Sequence, residues 1–127
     1  MEAITLQIPD GIVEALPDDD GTAAKDMARA VAGWEDLLNR RIEAAEDDEA
    51  VTGATVDLVE RFEDRWEQYD EFVAELRAWG QSPIYAMAWR DLHAALVNQL
   101  YEHPELGPAI DRERHARVFA DGIRRRR

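Results

Sequence analysis

The stretch TVDLVERFEDRWEQYDEFVAELRA, residues 55–78, decides the fold. Within it Val59, Phe62, Trp66, Tyr69, Val73 and Leu76 recur at steps of three and four residues, which is the pattern of a helix that buries one stripe. Thr55 is placed to cap this helix, and Asp57 falls in the first turn, where the helix dipole favours negative charge. At 1.5 Å per residue the segment makes a rod of roughly 36 Å. A seam of that length requires a facing helix, either in an antiparallel hairpin or across a dimer.

The elements on either side follow from the same reasoning. Upstream, Glu46-Asp47-Asp48-Glu49 and Gly53 read as a break. Before it, Met27, Val31, Trp34, Leu38 and Ile42 predict a helix capped by Thr22 and running to about Glu46. Downstream, Gly80 ends the central helix. Ser82-Pro83 supplies an N-cap followed by proline at the first helical position. The helix it opens reaches about Tyr101, with Ile84, Met87, Ala88, Leu92, Ala95, Leu96 and Leu100 as a wide apolar stripe and Trp89 and Val97 beside it. His103-Pro104 stops that helix, and Gly107-Pro108 begins a last one through about Ile123, anchored by Ile110, Val118 and Phe119.

At the other end, Ala3 to Ile8 alternate apolar and polar, placing Ile4, Leu6 and Ile8 on one side of a strand. A lone strand leaves its backbone groups unsatisfied, so it must pair with a later segment, a second subunit or another partner. Ile12 to Leu16 can form one helical turn before Pro17 and the acidic loop Asp18-Asp19-Asp20-Gly21. The sum predicts an all-α fold, an up-and-down bundle of about four helices with a short N-terminal strand-like arm. It forms one domain over 1–127: arm and acidic loop 1–21, helical body 22–123, basic tail 124–127. The opening also looks like the N-terminal arm of some small antitoxins, where Ile-Pro follows an alternating strand, but no basic DNA-reading helix follows it here.

The formal net charge is −13, and it is unevenly spread. Residues 111–127 hold seven arginines against Asp111, Glu113 and Asp121, a net of +4, which leaves −17 on residues 1–110. Carboxylates at this density keep a protein soluble but repel one another until salt screens them. The pattern is similar to cytosolic proteins of salt-accumulating archaea, and a cytoplasmic, high-salt setting is the expectation. The longest apolar runs fall far short of a bilayer span, and MEAITLQIPD lacks the basic start and apolar core of a signal peptide, so no membrane association is expected.

Composition excludes several chemistries. Without cysteine there is no thiol nucleophile or thiolate metal site. Ser82 is the only serine and has a capping role. No Glu-x-x-His precedes His93, His103 or His115, so a carboxylate-bridged di-iron centre has no ligands. His93 is expected on a polar helix edge, bonded to a nearby carboxylate. The one catalytic outline is Glu43-Ala-Ala-Glu46 with Glu67-Gln-Tyr-Asp70, which resembles the paired acidic motifs that hold magnesium in helical nucleotide pyrophosphatases. Glutamate is so abundant that such pairs arise by chance, and Glu60 with Glu63 makes another.

The sequence therefore predicts a non-catalytic interaction module or accessory subunit that binds a protein partner and forms a homodimer, with no cofactor and no small-molecule ligand. The magnesium-dependent pyrophosphatase is the enzymatic alternative. Weak nucleic-acid binding through the basic tail is a third reading, opposed by the acidic body. The expected contact residues are Ile4, Leu6 and Ile8 of the strand, the aromatic corner Trp79, Tyr85 and Trp89, and the basic set Arg112, Arg114, Arg117, Arg124, Arg125, Arg126 and Arg127.

Overall fold

The computed structural model describes residues 2–17 and 21–125, with side chains described through Ile123. The elements are α1 (Asp10–Glu14), α2 (Thr22–Ala44), α3 (Asp48–Ala78), α4 (Ile84–Glu102) and α5 (Leu106–Arg125). The described residues are all helical or irregular, with no strand among them.

Helix α3 is the spine, and it is longer than its seam implied. It starts at Asp48, seven residues before Thr55, and runs through Gly53 without a break. The acidic run that reads as an interruption is instead a start signal. The Asp47 carboxylate accepts from the Ala50 amide at 2.8 Å, and Asp48 and Glu49 occupy the first turn, where the dipole favours them. One glycine costs a helix only about 1 kcal/mol, which this start offsets. Thr55, expected at the cap, is fully buried and returns its hydroxyl to the Val51 carbonyl at 2.9 Å. At the far end Gly80, at φ 71°, closes α3 with the paired bonds of a Schellman turn, Gln81 N to Leu76 O at 2.8 Å and Gly80 N to Arg77 O at 3.1 Å.

Helices α2, α3 and α4 alternate in direction. Arg41 meets Asp57 and Trp34 meets Phe62 across α2 and α3, while Phe62 meets His93 and Tyr69 stacks on Trp89 across α3 and α4. Helix α5 does not extend this alternation as an up-and-down bundle requires. Arg114 bonds Glu63, whereas Arg117 reaches Glu60 and Asp57, so α5 advances toward the beginning of α3. Its start is also earlier than Gly107-Pro108: the His103 ring Nδ1 accepts from the Glu105 and Leu106 amides, both at 3.1 Å, and caps it. Gly107 lies so close to α4 that a Cβ there would run into the Tyr101 carbonyl. At α4 the expected Ser82 cap is absent: Pro83 holds the N-cap position and no side chain bonds there.

The N-terminal segment is extended but is not a strand. Its backbone groups are satisfied by side-chain amides in place of a neighbouring strand. Asn39 accepts from the Ile4 amide at 2.8 Å and donates to the Ile4 carbonyl at 2.9 Å. Gln99 does the same for Gln7, at 2.9 and 2.7 Å, and Glu35 accepts from the Leu6 amide at 2.8 Å. A carboxamide carries the same donor and acceptor pair as a peptide group, so two of them replace a strand edge. The arm thus lies across α2 and α4 and sends Ile4 and Leu6 into the core, where they join Met27, Val31, Leu38, Phe62, Leu92, Leu96, Leu100 and Ile110.

Replacing Asn39 with Ala leaves a part-buried amide and carbonyl of Ile4 unpaired and is expected to cost about 1–3 kcal/mol. The same change at Gln99, whose bonds are exposed, should cost less. Urea unfolding midpoints of the two variants check the order.

Candidate interaction surfaces

Each predicted site residue has a definite place in the fold. Ile4 and Leu6 are buried, and Ile8 is half-buried against the core. They are spent inside the molecule, so they leave the set of exposed contacts. Trp89 is half-buried against the core, its ring stacked on Tyr69 at 6.3 Å and 15°. Trp79 stays outside with 64% of its surface exposed, and Ile84, Tyr85 and Phe72 stand open near it at the junction of α3 and α4. Tyr85 donates its hydroxyl to the Pro17 carbonyl at 2.7 Å, so the ring is fixed in place while its face remains solvated.

The basic set divides. Arg114 is clamped by both Glu63 oxygens, at 2.8 and 2.9 Å, and by the Tyr101 hydroxyl; the Glu63 carboxylate raises its pKa above the ordinary value despite partial burial. Arg117 bonds Glu113 and reaches Glu60 and Asp57. These two hold α5 to α3 and are not free for a polyanion. Arg112 is exposed and makes no ion pair among the described residues. The side chains of Arg124, Arg125, Arg126 and Arg127 lie outside the described residues, as does the acidic loop Asp18 to Asp20.

The four carboxylates of the magnesium outline do not converge. Glu43 and Glu46 sit where α2 gives way to α3, whereas Glu67 and Asp70 lie well along α3, roughly 20–30 Å away. Asp70 is already paired with Arg90 at 2.9 Å. Among the described residues no group of three or more His, Asp or Glu side chains is placed to hold a metal. None of the described helices is long and apolar enough to cross a membrane.

Two features were missed by periodicity. The first is α5 beyond Arg117. Val118 and Phe119, expected as core anchors, are 72% and 71% exposed, and Ile123 is exposed with them. Body contact ends at Arg117, and residues 118–123 are all open to solvent. The second is His93, which is fully buried and lies on no polar edge. Its ring sits among Trp34, Phe62 and Tyr69, with centroids 5.2, 5.8 and 5.5 Å away. Nδ1 lies 2.6 Å from the Trp89 carbonyl. A carbonyl only accepts, so Nδ1 carries the proton and Nε2 is left with no partner.

The chain belongs to a family of unknown function, DUF7971, whose model matches residues 1–127. No curated protein and no solved structure matches it.

His93 gives the fold a pH dependence. Burial first of all lowers its pKa from the ordinary 6.5; the bond to Trp89 opposes this and the Arg65 charge adds to it. The unfolded chain therefore binds the proton more readily. The His93 contribution is complete above about pH 6.5 and is lost as pH falls below it, at up to about 1.4 kcal/mol per pH unit, until the native ring itself protonates. His93→Phe keeps the aromatic packing and removes the titration. Comparing its denaturation midpoint with that of the native chain at pH 7.5 and 5.5 should show a smaller acid loss in the variant.

Proposed function

We propose that this chain is a non-catalytic interaction module that acts through protein–protein contacts and pairs with itself as a homodimer. One observation carries the reading. Of the ten large apolar side chains exposed among the described residues, Val13, Leu37 and Trp66 stand apart, and the other seven gather at the aromatic corner of α3 and α4 and on the solvent-exposed end of α5. Scattered exposed apolar groups are ordinary on a surface, but grouped ones mark contact sites. Aromatic residues are favoured at such sites because each removes a large area from water with few rotamers to fix.

The setting we propose for this module is a cytoplasm of high salt. The exposed carboxylates are mutually repulsive at low ionic strength, and screening relieves that repulsion while strengthening apolar association. Nucleic-acid binding draws less support, because Arg114 and Arg117 are engaged within the molecule. The pyrophosphatase reading finds no converged carboxylate set among the described residues.

Light scattering at micromolar concentration in about 2 M KCl, where the screening length is below about 3 Å, is expected to give the mass of two chains. A single-chain mass would overturn the homodimer.

A further inference from the structure

His103 is where α4 ends and α5 begins. Its backbone is non-helical, at φ −63° and ψ 127°; its amide donates to the Leu100 carbonyl at 3.3 Å, and its carbonyl accepts from the Gly107 amide at 2.9 Å. The half-buried ring reaches forward, and Nδ1 accepts from the Glu105 and Leu106 amides, both at 3.1 Å. These are the amides that an N-cap side chain serves. Helices usually give that position to Ser, Thr, Asp or Asn, whose oxygen goes on accepting well below neutral pH.

An imidazole cap differs from these in one respect. An amide N–H only donates, so the capping Nδ1 carries no proton and the neutral ring holds its proton on Nε2. A second proton would put an N–H on Nδ1, facing two other N–H groups, and would set positive charge at the end of a helix whose dipole favours negative charge. The charged ring therefore cannot keep this position. The charged groups lining the two surface depressions that His103 borders are all carboxylates: Glu2 on the arm, Asp10 on α1, Glu102 on α4 and Glu105 before α5. Among the described residues no Arg or Lys lines either depression.

We propose that His103 is a pH-sensitive cap: neutral, it holds the first turn of α5, and protonated, it leaves the Glu105 and Leu106 amides for the surrounding carboxylates and releases that turn. Histidine is the side chain whose charge changes between pH 5 and 8. The cap contributes above the pH at which the ring protonates, and its contribution is lost below it. What the cap secures is the entry of α5 into the core, where Leu106 and Ile110 are buried and Gly107 lies against the Tyr101 carbonyl. Farther along, Arg114 and Arg117 hold α5 to Glu63 and Glu60, and a guanidinium stays charged throughout this range. The response is therefore confined to the start of α5, whereas that of His93 acts on the core as a whole.

Amide hydrogen exchange of the full-length chain at pH 7.5 and 5.5, expressed as protection relative to the unstructured rate at each pH, reads the cap at Glu105 and Leu106. Protection there is expected to fall by about fivefold at pH 5.5. His103→Asn supplies an accepting oxygen that does not titrate, so its protection at these two amides should be the same at both pH values. His103→Ala should be poorly protected at both. Equal protection of the native chain at the two pH values overturns the proposal. So does a fall in the Asn variant that matches the native one, which would place the response in His93 or elsewhere. The ring gives a second reading that needs no variant: nitrogen-15 NMR at pH 7.5 should show His103 Nδ1 bare and Nε2 protonated, and a proton on Nδ1 there overturns the cap.

Discussion

The constraint on which the rest of the structure depends is the unequal covering of α3. All three other long helices pack on this one rod. Over its first half, Ala54, Thr55, Val56, Leu58, Val59 and Phe62 bury a broad face, while Asp57 and Arg61 stay exposed. Over its second half only Val73 is fully buried, because α5 has crossed at Glu63 and turned away. The chain therefore has a closed end and an open end. The closed end holds the core, to which the arm contributes Ile4 and Leu6. The open end holds Phe72 and Trp79 in solvent.

Polar groups are spent according to the same division. At the closed end side chains serve backbone groups: Asn39 and Gln99 serve the arm, and His103 serves the first turn of α5. Arg114 and Arg117 tie α5 to α3 with charge-assisted bonds to Glu63 and Glu60, which are stronger than neutral ones. Among the described residues the buried side-chain atom left without a partner is His93 Nε2, which faces an aromatic enclosure. An unpaired buried acceptor lowers stability, and the ring is held there by packing against Trp34, Phe62 and Tyr69. At the open end Glu71 and Glu75, which make no ion pair among the described residues, stand beside the exposed aromatics.

Much of the helical fold was legible in the sequence. Met27, Val31 and Leu38 on α2, Val59, Phe62 and Val73 on α3, and Leu92, Leu96 and Leu100 on α4 all follow from three- and four-residue spacing and are all buried. What was not legible has physical reasons. Spacing reports which face of a helix is apolar but not how far the rest of the molecule extends, so Val118 and Phe119 read as core although α5 outruns its support. The arm reads as a strand because its backbone needs partners, yet nothing in a pattern shows that Asn39 and Gln99, far apart in sequence, supply them. The acidic run at 46–49 reads as a loop by composition, while its position made it a helix start. His93, one residue from Leu92, reads as an edge, but α4 is covered by α3 and α2 broadly enough to enclose it. Of the candidate contacts, Trp79 and Tyr85 were accessible to sequence reasoning; the exposed end of α5 needed the direction in which that helix runs.

The account pairs two molecules through the apolar groups left exposed at the open end of α3 and at the end of α5, so these segments should be protected only when molecules meet. Amide hydrogen exchange followed across a range of protein concentrations measures this directly. The account predicts that exchange in 66–79 and 118–123 slows in step as concentration rises, while the enclosed stretch 54–62 exchanges at one rate throughout. Exchange in both segments that is independent of concentration, or protection of one without the other, would contradict it.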